Sequence, residues 1–123
     1  MDLTINELVE SFNLNVAAGQ SGLNRPVRCG YCGDLLSDVM GNAPVGCIWL
    51  TVQGHQNIVA VALLREIAAI VITGGQIPDK ETLQKADQEN IPILLWPGSS
   101  FNLAGQLYAE GVKISEQKEE IAD

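Results

Sequence analysis

The sequence predicts an α/β layered fold: a mixed, mostly parallel sheet flanked by helices. Three observations predict it. Apolar runs at residues 47–55, 68–75 and 91–101 alternate with two helical patterns, an order that makes neighbouring strands parallel with right-handed crossovers. Ile70, Val71 and Ile72, like Ile93, Leu94 and Leu95, are apolar without alternation, as strands covered by helices on both faces are. Each run ends in a small or polar cluster, so these clusters gather at the carboxyl ends of adjacent strands, where open α/β sheets bind ligands.

Taken in order, the chain opens with a helix within residues 1–12. Thr4 and Glu7 have capping-box spacing, Leu3 can staple against Leu8, and Ile5, Leu8, Val9 and Phe12 share a face. Residues 13–18 read as a short strand ended by Gly19. Residues 21–26 are a turn in which Pro26 keeps Arg25 extended, and residues 27–31 read as a second short strand. Either short strand can lie parallel or antiparallel, hence a mixed sheet. Residues 34–40 make one or two helical turns closed by Gly41 and Asn42. In residues 57–66, Ile58, Val61, Ala62 and Arg65 recur at helical spacing. The helix at residues 79–89 follows Pro78, with Asp79 as N-cap and Leu83 and Ala86 inward. The last helix, residues 100–110, carries Leu103, Leu107 and Tyr108 as its stripe and Gly111 as its C′ residue. Residues 1–114 are expected to form one domain, and residues 115–123 an acidic flexible tail.

With 46% hydrophobic but only 5% aromatic residues, the core must be mostly aliphatic. No apolar run nears the roughly 20 residues of a membrane span, and the first residues lack a basic-then-apolar signal, so a cytoplasmic protein is expected. The net charge of −8 argues against binding nucleic-acid backbones. The 3 cysteines are an odd number, which favours reduced thiols over a disulfide framework.

Cys29 and Cys32 form a C-x-x-C, and with Cys47 and His55 a zinc set can be written. Residues 47 and 55 of one extended run would stand roughly 25 Å apart, which opposes a shared metal. A thioredoxin-like role needs a helix N-terminus to lower a thiol pKa, and this pair sits in a predicted strand. No metal and no catalytic residue is expected. His55 follows Gly54 at a strand end, beside Thr51 and Gln53; it reads either as a ligand contact or as a solvated helix-start residue. Thr73, Gly74 and Gly75 form a turn whose glycines allow positive φ, suited to presenting amides to an anion or required for geometry alone. Ser99 and Ser100 stand at the next strand end, as helix caps or ligand hydroxyls. Asp34 and Asp38 read as capping and solvated carboxylates.

Together these residues resemble the DRTGG domain. Thr73, Gly74 and Gly75 match its second half, Gly54 matches the glycine of its first half, and Pro78 and Ser100 fall at its proline and hydroxyl positions. His55 and Gln56 stand where the family has Asp and Arg, so the role of that pair is not carried onto this chain. Residues 34–40 and 56–62 are similar to stand-alone members from anaerobic bacteria, often encoded near iron hydrogenases. The resemblance implies a domain similar to the N-terminal domain of HPr kinase/phosphorylase and, more distantly, of the Mur ligases. In larger proteins such domains accompany CBS domains, pyrophosphatases and phosphate acetyltransferases as regulatory or dimerising modules.

The expectation is therefore a non-catalytic, ligand-sensing regulatory module, a homodimer without cofactor. An anion or nucleotide site, for a nucleotide or phosphorylated metabolite, would be lined by Thr51, Gln53, Gly54, His55, Gln56, Thr73, Gly74, Gly75, Ser99 and Ser100. Backbone amides would hold the anion, and His55 or Gln56 would select it. The alternative is a protein-interaction scaffold without small-molecule ligand, joined through Trp49 or Trp96 to a partner in a redox or hydrogenase system. An enzyme using Cys29 and Cys32, or His55, is the third class.

Overall fold

The computed structural model describes residues 3–113. Thr4, in the short strand β1 (Leu3–Thr4), caps α1 (Ile5–Phe12): its hydroxyl accepts the Glu7 N–H while the Glu7 carboxylate accepts the Thr4 N–H. This is the expected capping box. Asn13 ends the helix in the left-handed region, so β2 (Asn15–Ala18) begins two residues later than the sequence pattern suggested. After Gly19 the chain passes through a 3-10 turn at Gln20–Gly22.

The single strand expected at residues 27–31 is two. β3 (Pro26–Val27) turns away to pair antiparallel with β1, and only β4 (Cys29–Cys32) enters the main sheet. Then follow α2 (Leu36–Asn42), β5 (Cys47–Thr51), α3 (Asn57–Arg65), β6 (Ala69–Ile72), α4 (Lys80–Glu89), β7 (Ile93–Leu95) and α5 (Ser100–Ala109). The main sheet has the order β2-β7-β6-β5-β4. β4, β5, β6 and β7 run parallel, and β2 closes one edge antiparallel to β7. The mixed, mostly parallel sheet is as expected.

Side-chain alternation divides the core into two layers. Cys47, Trp49, Ile70, Ile72 and Ile93 pack with Val39, Ile58, Ala62 and Ala86 of α2, α3 and α4. Ile48, Leu50, Ala69, Val71 and Leu94 pack with Ile5, Leu8, Leu103 and Leu107 of α1 and α5. The sheet is thus sandwiched between helical layers, which explains its unbroken apolar strands. Tyr108, expected in the α5 stripe, is exposed instead. Gly111 has φ +103, as a C′ glycine should. The tail expected at residues 115–123 lies outside the described residues. Among the described residues, no helix is long and apolar enough to cross a membrane.

On the α2 side, the Tyr31 hydroxyl donates to the Asp38 carboxylate. Burial, with that hydrogen bond and the Asp38 charge, pushes the phenol up to about 12 from 10.0. Such a raised pKa stabilises the fold fully below pH 10.0 and stops doing so as pH rises through about 12. An ultraviolet titration should show a tyrosine step near pH 12 that moves down in Asp38→Asn. An unmoved step would dissociate the shift from the carboxylate.

Candidate functional site

β5 stops at Thr51, and residues 52–56 leave the sheet before α3 begins. The strand expected to reach His55 is therefore shorter, because Asp34 caps its end. One Asp34 carboxylate oxygen accepts the Thr51 hydroxyl and the Val52 N–H, each at 2.9 Å. The Asp34 carbonyl takes the Gln53 side-chain amide at 3.0 Å. Asp34 precedes α2 without capping it, so its place in this cluster was missed from sequence; its partners lie 17 to 19 residues away.

The next loop locks onto this one. The Gly54 carbonyl accepts the Asp79 N–H at 3.0 Å and the buried Thr82 hydroxyl at 2.7 Å. A Cβ on Gly54 would stand 3.1 Å from Pro78 Cα, so a glycine is what lets these loops cross. Asp79 does occupy the N-cap of α4, but its side chain makes no cap bond. It pairs instead with His55 Nδ1 at 3.0 Å, both side chains largely exposed. A cavity of about 380 Å³ beside them is lined by His55, Gln56, Asn57, Asp79 and Glu81. Two carboxylates on that wall oppose an anion there.

Between the ends of β6 and β7, Thr73 is fully buried and shares a hydrogen bond of 2.6 Å with the Ser100 hydroxyl. Ser99 caps α5 by accepting the Asn102 N–H at 3.1 Å. Gly74 and Gly75 both have positive φ, yet their amides are committed: Gly74 N–H donates to the Gly98 carbonyl at 2.8 Å, and Gly75 N–H to that of Trp96 at 3.5 Å. The turn does not run into a helix start either, since α4 begins at Lys80. The Gly74 amide, expected to face an anion, is instead spent on joining loops, and the Gly75 amide makes only a long contact.

All ten candidate residues thus lie at the carboxyl ends of β5, β6 and β7, and most of their backbone and hydroxyl groups tie those ends together. His55, Gln56, Gly74, Gly75 and Ser99 remain exposed, three of them with side chains. So do four apolar residues that sequence reasoning did not single out: Leu35 at 68%, Val52 at 44%, Ile77 at 87% and Phe101 at 86%. Each follows the carboxyl end of a different parallel strand. Neither tryptophan is an exposed docking residue. Trp49 is fully buried, its indole N–H donating to the Gly33 carbonyl at 2.9 Å, and Trp96 is half-buried against the α1 and α5 layer.

The cysteines are placed by strand alternation. Cys29 is buried in the α2 and α3 layer, whereas Cys32 is exposed beside Leu50 and Leu107 on the other side. The two thiols of the C-x-x-C therefore face opposite sides of the sheet and cannot share a metal or a disulfide within β4. Although Cys32 reaches the surface, partial desolvation of its thiol, helped by the Asp34 charge, pushes it up, the reverse of an activated cysteine. Cys47 faces Cys29 across the strand pair, and its bond to that thiol, with burial, pushes it up.

The family model of the DRTGG domain matches residues 39–109. This chain belongs to the DRTGG domain family. The match spans the DRTGG domain from α2 to α5 and includes all ten candidate residues. Among solved structures, this DRTGG domain is similar to the CBS and DRTGG domains of the regulatory region of Clostridium perfringens pyrophosphatase, complexed with the activator diadenosine tetraphosphate. The TM-score is 0.64 at 16% identity, over 82% of this chain and 44% of that one. That likeness shows the fold. The chain spans under half of the regulatory region it resembles. Within the matched residues, this DRTGG domain holds His55, paired with Asp79, and then Gln56.

Proposed function

We propose that this DRTGG domain is a non-catalytic regulatory module that pairs with a second copy and responds to a nucleotide or other phosphorylated metabolite at the carboxyl edge of its sheet. One observation carries the reading: that edge combines exposed apolar groups, Ile77 and Phe101, with the exposed polar groups His55, Gln56 and Ser99. A nucleotide offers a flat base for the first set, ribose hydroxyls for His55 and Gln56 beside Asp79 and Glu81, and a phosphate for Ser99. The activator in complex with the similar pyrophosphatase region is a dinucleotide, which supports the ligand class. The non-catalytic reading is supported by the Thr51 and Thr73 hydroxyls, which are buried and hydrogen-bonded within the fold.

Sedimentation velocity and thermal melts with ATP and with diadenosine tetraphosphate test it. A saturating nucleotide, at 100 times its Kd, should add about 2.7 kcal/mol and raise Tm by several degrees. Phe101→Ser should remove that rise and weaken self-association at least about tenfold. Silence to both nucleotides at millimolar concentration would end the ligand part. If Phe101→Ser still dissociated the dimer, the four exposed apolar residues would mark a protein-interaction scaffold. A hydrogenase or other redox protein is then the partner to seek. A monomer at all concentrations would overturn the pairing.

A further inference from the structure

The opposite end of the sheet has a cavity of about 340 Å³, far from the loops at the carboxyl edge. It opens between the β3–β4 corner, the turn before β5 and the last turn of α3. Its wall includes Arg25, Arg28, Val45, Ala62, Leu63 and Glu66. The chain has only 7 basic residues against 15 acidic ones, yet two of its arginines border this one cavity. In so acidic a protein, each would be expected to find a carboxylate. The ion pairs among the described residues are His55 with Asp79 and Lys85 with Glu89, and neither involves them.

The Arg28 stem and the Arg25 backbone are both packed at this cavity. Gly46 has φ +79, and a Cβ there would stand 2.9 Å from Arg28 Cδ and 3.1 Å from Arg28 Cγ. The Arg28 stem therefore occupies the space that glycine leaves beside the cavity. The Arg25 backbone is clamped by its N–H to the Gly22 carbonyl at 3.2 Å and by its carbonyl from the Ile5 N–H at 2.9 Å. Val45, Ala62 and Leu63 supply an apolar wall opposite these charges.

We infer that this cavity is a second binding site, for a small carboxylate with an aliphatic body. Guanidinium forks match a carboxylate in geometry and charge. The aliphatic wall accepts hydrocarbon, and the volume is at the small end of ligand pockets. Glu66 adds a negative charge to the wall, which tolerates a monoanion and opposes a polyphosphate. The site is thus chemically distinct from the nucleotide edge and independent of it.

Calorimetric titration of the full chain with 4-methylpentanoate tests this, with 4-methylpentanamide and inorganic phosphate as controls. Saturable binding of the carboxylate with Kd below about 1 mM is expected, with neither control matching it. Arg28→Gln, at an exposed position, and Arg25→Gln should each weaken it at least about tenfold, with unchanged melting curves. His55→Ala should leave it unchanged, which separates this site from the carboxyl edge. No saturable heat up to about 10 mM would overturn the inference. Equal binding of the amide, tighter binding of phosphate, or full binding by both arginine variants would do the same.

Discussion

Gly19→Ala should cost at least about 4 kcal/mol of folding stability, in the range where single substitutions become exceptional. A methyl group there would sit 2.1 Å from the Ile91 carbonyl oxygen, 2.3 Å from its carbon and 2.6 Å from Pro92 N. These are backbone atoms, so no side chain can swing aside. Gly19 also has φ +72, a conformation that costs other residues about 1–2 kcal/mol. Relief by backbone movement would strain two further attachments: the Gly19 N–H to the Asp87 carboxylate at 2.8 Å, and the pairing of Ala18 with Ile93. Urea unfolding measures the loss. Gly105→Ala is the control, a helical glycine with nothing within 4 Å of its added methyl, which should gain about 0.5–1 kcal/mol. A loss under about 2 kcal/mol at Gly19 would mean that the strand end yields more easily than its contacts imply.

Asp34→Ala should cost about 2–3 kcal/mol although its side chain is exposed. The reason lies with its partners. Thr51 is 0% exposed, and losing the carboxylate leaves its hydroxyl buried without this acceptor. The Val52 N–H loses its acceptor in the same step. Asp34→Asn retains an oxygen acceptor and should recover about half of the loss, since uncharged hydrogen bonds are about half as strong. Chemical denaturation of the three proteins decides it. A cost below about 0.5 kcal/mol for alanine would show that water replaces the carboxylate without penalty.

The sequence reveals what depends on neighbours in the chain. Thr4 and Glu7 are three residues apart, so their capping box was readable, as were the apolar strands and the Ser99 cap. The gathering of Thr51, Thr73 and Ser99 on one edge followed from parallel connection alone. What stayed hidden depends on contacts distant in sequence. Residues 26–27 and 29–32 look like one strand until β1 draws Pro26 and Val27 away. Gly74 and Gly75 looked like amide donors because nothing local shows that Gly98 and Trp96 take those amides. Asp79 has the position of a helix cap, but a distant His55 engages its carboxylate. Ile77 and Phe101 are apolar in a chain with many apolar residues, and only packing distinguishes an exposed one from a buried one.

The cross-ties at the carboxyl edge have a thermodynamic consequence. Gly54 joins the loop after β5 to the start of α4, Thr73 joins the end of β6 to Ser100, and Gly74 joins the loop after β6 to Gly98. Loops that would otherwise lose conformational freedom on contact have already lost it during folding. A ligand or partner arriving there meets a surface whose ordering entropy no longer opposes association, so a small contact area can yield useful affinity.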